Sequence, residues 1–155
     1  QKGFDRLISV CNRLVNEDGY GNFCVNIVGE GTERRTLEKK IIDCCLQDNI
    51  RLLGFMENPY PYIKKCDMYV QPSRYEGNSV TVHEAQFLKK PVVITRYATS
   101  TSQLRDGIDG MVVPMDNQGC AEGIIALLSN PERMLQFSRE CENIDYANKF
   151  WHFLN

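Results

Sequence analysis

The chain has 155 residues, 43% of them hydrophobic and 25% charged, with a net charge of −2. Such a composition excludes disorder, and the near-neutral charge lacks the basic surplus of a general nucleic-acid binder, so no nucleic-acid partner is expected. No apolar run approaches the roughly 18 residues of a membrane-spanning helix, and Gln1 to Asp5 lacks the apolar core of a signal peptide.

Phe4, Leu7, Ile8, Cys11 and Leu14 follow helical spacing, and Gly19 to Asn22 breaks it. Phe23 to Val28 is a short apolar run ending at Gly29 and reads as a buried strand. A second helix begins near Thr32 and carries Leu37, Ile41, Ile42 and Cys45. Ile50 to Leu53 is a strand closed by Gly54, Pro59 to Lys65 a brief helix, and Asp67 to Gln71 a third strand. Val80 to Leu88 suits a helix capped by Asn78 or Ser79. Pro91 to Ile94 and Asp109 to Val113 are further strands. Cys120, Ala121, Ile124, Ile125 and Leu128 lie on one helical face, and Pro131 opens a last helix with Met134, Leu135 and Phe137.

This alternation predicts an α/β fold: a doubly wound, Rossmann-like parallel sheet with helices on both faces, in one domain spanning 1–155. A helix at residue 4 with no strand before it suggests that the first strand of such a domain lies outside the chain. The seven cysteines are irregularly spaced, without a C-x-x-C pair, and only His83 and His152 could add imidazole ligands. No metal site is expected, and free thiols in apolar runs suggest a reducing, cytoplasmic setting.

Ligands of open parallel sheets bind beyond the carboxyl ends of the strands. The loop Gly29-Glu30-Gly31-Thr32 permits close backbone approach, though it serves equally as a tight turn and is not a G-x-G-x-x-G dinucleotide motif. The loop Pro72 to Val80 leads into the helix that carries Glu84. Glu84 stands about one and a half turns into that helix, ~8 Å along its axis. Gly77 lets the loop fold over the helix start, so the backbone N–H groups near Ser79 and Val80 could face an anion flanked by Glu76 and Glu84. Two acids there suit a nucleotide sugar, with hydroxyls at its ends and diphosphate between. On composition alone the plainer reading is a solvated Glu76 and an exposed Glu84. The turn Asp106 to Gly110 reads as structural.

The segments Lys2-Gly3-Phe4-Asp5, Val28-Gly29-Glu30-Gly31, Leu53-Gly54-Phe55, Glu76-x7-Glu84-Ala85, Pro91-Val92-Val93 and Asp106-Gly107-Ile108-Asp109-Gly110 occur in an order that resembles the C-terminal, donor-binding domain of retaining GT-B glycosyltransferases of family 4, the group 1 transferases. The likeness runs from Lys2 to about Leu128. It implies an enzyme that moves a hexose from a UDP- or GDP-sugar to a glycan or lipid-linked acceptor held by a separate N-terminal domain, with no cofactor. In this likeness Glu84 binds the ribose hydroxyls and Glu76 positions the transferred sugar and its developing charge. Backbone amides of Asn78, Ser79 and Val80, beside Gly77, hold the β-phosphate. Lys2 contacts the diphosphate, Gly29 lies in the first strand-to-helix loop, and Phe55 and Met56 lie near the base. The chain departs from the family in lacking the arginine that precedes the lysine, in Tyr97-Ala98-Thr99 where glycines are common, and in Asn78-Ser79 after Glu76-Gly77.

The rival readings are a non-catalytic nucleotide-sugar-binding or interaction module, a glycosidase using both glutamates, which needs them ~5–10 Å apart across a cleft, and a dinucleotide oxidoreductase, disfavoured by its absent motif. The aromatic tail at Tyr146, Phe150, Trp151, Phe153 and Leu154 reads as packing toward a second domain, with peripheral membrane contact as the lesser alternative.

Overall fold

The structure, a computed structural model, describes residues 1–145; the tail aromatics lie outside them. In chain order the elements are α1 (Phe4–Asn16), β1 (Val25–Val28), α2 (Arg34–Asp43), β2 (Ile50–Gly54), α3 (Tyr60–Lys65), β3 (Tyr69–Gln71), α4 (Val80–Phe87), β4 (Val92–Thr95), α5 (Ser100–Gln103), β5 (Met111–Val113), α6 (Asn117–Leu128) and α7 (Pro131–Glu140), followed by a 3₁₀ turn at Cys141–Asn143. All strand pairs among the described residues are parallel. The expected α/β class holds.

The ladder comes in two pieces. β1 pairs with β2, and β3-β4-β5 form a second ladder. The expected parallel, Rossmann-like arrangement holds, its strands divided into two ladders with no backbone pairing between them among the described residues. α1 spans both. Its Leu7, Ile8 and Cys11 pack with Ile27, Leu37, Ile41 and Ile50 over the β1-β2 ladder. Val10 and Leu14, one step around the helix, pack with Val93, Val113, Ile124 and Phe137 over the three-stranded ladder. Leu7, Ile8, Val10 and Leu14 are each buried, and a fully buried side chain of this size stabilises by about 1.5–3 kcal/mol. On the other face of the three-stranded ladder, α4 places Val82 and Ala85 against Val92, Ile94 and Val112. The alternation of Val92 and Ile94 with Val93 follows from the period of two along a strand.

Strand starts are shorter than expected where a residue is committed elsewhere. Pro91 has no N–H and joins only as an acceptor, from Tyr69 N at 2.9 Å. Asp109 turns inward to Arg105 instead of entering β5, its Oδ1 accepting Arg105 N–H at 2.7 Å. The structural role expected for the 106–110 turn agrees with Gly107 at φ 77 and with Val112 N–H donating to Asp106 Oδ1 at 2.9 Å. α6 and α7 are capped by Asp116, which accepts from Gly119 N, and Asn130, which accepts from Arg133 N. α5 had no counterpart in the sequence reading.

Candidate functional site

The chain start is stitched onto the loop after β3. Gly3 caps α1 in the left-handed region at φ 73, and a Cβ there would lie 2.0 Å from Pro72 O, so only glycine fits. Arg6, buried, donates to Pro72 O at 3.0 Å. Arg74 donates its N–H to Gln1 O at 2.9 Å, and its guanidinium forks onto Asp5 at 2.7 and 2.6 Å. That pairing holds the Asp5 carboxyl well below its ordinary value, at about 2.

This lacing brings Lys2 to Glu76. Lys2 Nζ donates to Glu76 Oε1 at 2.8 Å. Glu76 is 7% exposed, and the buried Ser73 hydroxyl donates to the same oxygen at 2.7 Å. Oε2 has no hydrogen-bond partner among the described residues. Thr99 Oγ1 donates to Glu76 O at 2.7 Å, which fixes the backbone as well. A lysine ammonium carries three donors, and the Lys2 side chain is 56% exposed, so it keeps donors for an anion while paired.

Beyond Glu76 the loop turns through Gly77, Asn78 and Ser79 into α4. Ser79 occupies the N-cap position without capping through its side chain. Its Oγ accepts from Gln71 Nε2 at 2.7 Å and lies 3.0 Å from Thr81 Oγ1. Its N–H is donated to Gln103 Oε1 at 2.9 Å. The expectation that three consecutive amides face a phosphate is therefore corrected: Ser79 serves the loop, and the N–H groups of Asn78 and Val80 remain. Val80 is the first residue of α4, where N–H groups lack intrahelical partners.

Glu84 is half-buried on α4. Tyr60, from α3, donates its hydroxyl to Glu84 Oε1 at 2.8 Å. Phe55 and Met56 lie in the loop from β2 to α3, Phe55 being 77% exposed. Gly29, at φ 127, donates its N–H to Gly54 O at 2.8 Å, so its amide ties the ends of β1 and β2 together. Four residues that sequence reasoning missed support the site: Ser73, Tyr60, Thr99 and Gln103. Ser73 stood in the quoted loop without a signal, and the others lie outside it.

Glu76 is buried and Glu84 half-buried. Of two open grooves, one of about 310 Å³ lies beside Tyr60, the partner of Glu84, with Lys64 and Leu88, and one of about 370 Å³ beside Gly107 and Arg133; neither is lined by Glu76 or Glu84. Among the described residues no group of three or more His, Cys, Asp or Glu could hold a metal ion, and no helix is long and apolar enough to cross a membrane.

The parallel α/β domain, with its loops gathered at the carboxyl ends of the strands, has the fold of the GT-B glycosyltransferases. Over residues 1–143 it matches the family described as glycosyl transferases group 1, and the chain belongs to that family. It is 31% identical over 147 residues to the poly(ribitol-phosphate) alpha-N-acetylglucosaminyltransferase of Staphylococcus aureus (strain COL), covering 92% of this chain and 29% of that protein. It superposes with a TM-score of 0.83, at 28% identity, on a mutant of S. aureus TarM in complex with fondaparinux, alpha-GlcNAc-glycerol and UDP, covering 92% of this chain and 29% of that one. A third likeness, of fold alone at 23% identity, is to the C-terminal domain of the group 1 protein LpcC from Francisella tularensis, with a TM-score of 0.77 over 92% of this chain and 76% of that one. The chain thus spans less than a third of the length of its S. aureus relative.

Proposed function

We propose that the chain is the donor-binding domain of a retaining glycosyltransferase that moves a hexose from a UDP-sugar to a glycan or polyol-phosphate acceptor held by a separate domain. The observation that carries this is the joining of Lys2, Glu76 and the turn at Asn78 to Val80 at one strand end, with Glu84 on the helix that follows. UDP in the S. aureus complex supports the base, and the relative's name supports an acetamido-hexose and a polyol-phosphate acceptor.

In this reading Glu84 accepts the ribose hydroxyls through Oε2, its other oxygen being held by Tyr60. Lys2 and the amides of Asn78 and Val80 stabilise the diphosphate as charge builds on the leaving group. Glu76, immobilised by Ser73 and Lys2, orients the sugar and faces the charge that develops at its reacting carbon. No metal is needed for these contacts. Because the acceptor belongs to a separate domain in this reading, the chain alone binds nucleotide without transferring sugar, acceptor and donor not being held at attacking distance. A cytoplasmic location follows for an enzyme that consumes nucleotide sugars and keeps free thiols.

The test is steady-state kinetics on alanine variants of the whole protein. A ribose contact is the same in ground and transition states, so Glu84→Ala raises the donor KM by about ten- to a hundredfold with kcat nearly unchanged. Glu76→Ala lowers kcat by about 10²–10³. Normal kcat in Glu76→Ala, or unchanged donor affinity in Glu84→Ala, contradicts these roles. Nucleotide binding without any transfer by the whole protein favours a binding module.

A further inference from the structure

Gln103 is fully buried on α5, outside every segment that carries the family resemblance. Its carboxamide reaches three consecutive residues of the turn before α4. Oε1 accepts the Ser79 N–H at 2.9 Å. Nε2 donates to Asn78 Oδ1 at 3.1 Å and to Gly77 O at 3.3 Å. Among uncharged side chains only a carboxamide offers a carbonyl acceptor together with two donors on one rigid plane.

Apart from Gln103, the turn is held by Gln71 on the Ser79 hydroxyl, and packing does little for its tip. A Cβ on Gly77 would meet nothing within 4 Å, and Gly77 and Asn78 are exposed. α5 is in turn tied to the same loop through Thr99, whose hydroxyl donates to Glu76 O. Asn78 Oδ1 also lies 3.2 Å from His83 Nε2. With its oxygen drawn inward by Gln103 and His83, the Asn78 amide turns its Nδ2 donor away from the interior, where it has no partner among the described residues.

We propose that Gln103 is the positioning residue of the diphosphate site. By taking the Ser79 N–H and the Asn78 oxygen it leaves the Asn78 N–H, Asn78 Nδ2 and Val80 N–H as the donors offered to phosphate, and it locks the turn in that shape before the ligand arrives. This rests on the reading of the turn as the place of the donor's diphosphate. Gln103→Leu removes all three bonds. Gln103→Glu keeps the length and the acceptor, loses both donors and sets a carboxylate against Gly77 O and Asn78 Oδ1.

The experiment measures UDP and uridine binding to the whole protein by calorimetry and NMR titration, for the wild type and both variants. Uridine lacks the phosphates, so it reports the base and ribose contacts alone. The expected result is a loss of about tenfold or more in UDP affinity in both variants, larger for Gln103→Glu, with uridine affinity unchanged. A general loss of folding would lower both ligands together. Equal losses for UDP and uridine, or no loss for either, overturn the proposal while leaving the nucleotide site standing. A wild-type protein that binds neither ligand overturns both the site reading and the role of Gln103.

Discussion

Tyr60 reaches Glu84 across 24 residues of sequence, from a helix that the E-x7-E pattern does not include. Its hydroxyl is pushed above the ordinary tyrosine value by the bond to the Glu84 carboxylate, so it remains a donor through neutral pH. The bond leaves Glu84 one oxygen for a ligand and restricts its rotation. In Tyr60→Phe the carboxylate is free to turn, and because Tyr60 is exposed the effect is modest. The donor KM should rise about two- to fivefold with kcat unchanged, the signature of a uniform binding contact. A fall in kcat would place Tyr60 at the reacting sugar instead. Glu76, Glu84 and Lys2 were marked in the sequence by the family resemblance, composition alone favouring a solvated Glu76 and an exposed Glu84. Ser73, Thr99 and Gln103 were not, since their roles exist only once β3, β4 and α5 bring their loops together.

At the scale of elements, an apolar stripe at helical spacing marked α1, α2 and α6, and Pro131 marked the start of α7. α5 escaped because Ser100 to Gln103 is four polar residues without a period, held instead by Ser100 N–H on Tyr97 O at 2.9 Å. The tie between α1 and the loop after β3 was equally invisible, as Asp5 and Arg74 are 69 residues apart. It has a pH signature. Asp5 titrates at about 2 in the folded chain against an ordinary 3.8, so it adds stability that is complete above about pH 4–5 and is lost as the pH falls through the window from 3.8 toward 2. The side chains are half exposed, and salt screens part of the effect. Thermal melting of the wild type and Asp5→Asn across this range should show the wild type more stable at pH 6, with the difference closing toward pH 2. A constant difference at all pH values would mean that the ion pair contributes nothing to folding.

Among the described residues of the molecule, two ladders share one helix, and the free cysteines report whether they act together. Cys11, on α1, is buried in the core over β1 and β2, and Cys120, on α6, in the core over β3, β4 and β5. Burial pushes the Cys11 thiol up to about 12 and the Cys120 thiol up to about 11, so neither forms thiolate in the folded protein near neutral pH. Cys24 and Cys45 are exposed. An alkylating reagent at pH 8 should therefore modify Cys24 and Cys45 at once and Cys11 and Cys120 only through unfolding. Two adjacent faces of α1 serve different cores, Leu7, Ile8 and Cys11 one, Val10 and Leu14 the other. Opening either core requires displacing the helix that closes both. Labelling across a urea series, read by mass spectrometry of the separate peptides, should thus give Cys11 and Cys120 the same midpoint. Exposure of Cys11 at distinctly lower urea would show that the β1-β2 half unfolds by itself, with α1 belonging to the three-stranded half alone.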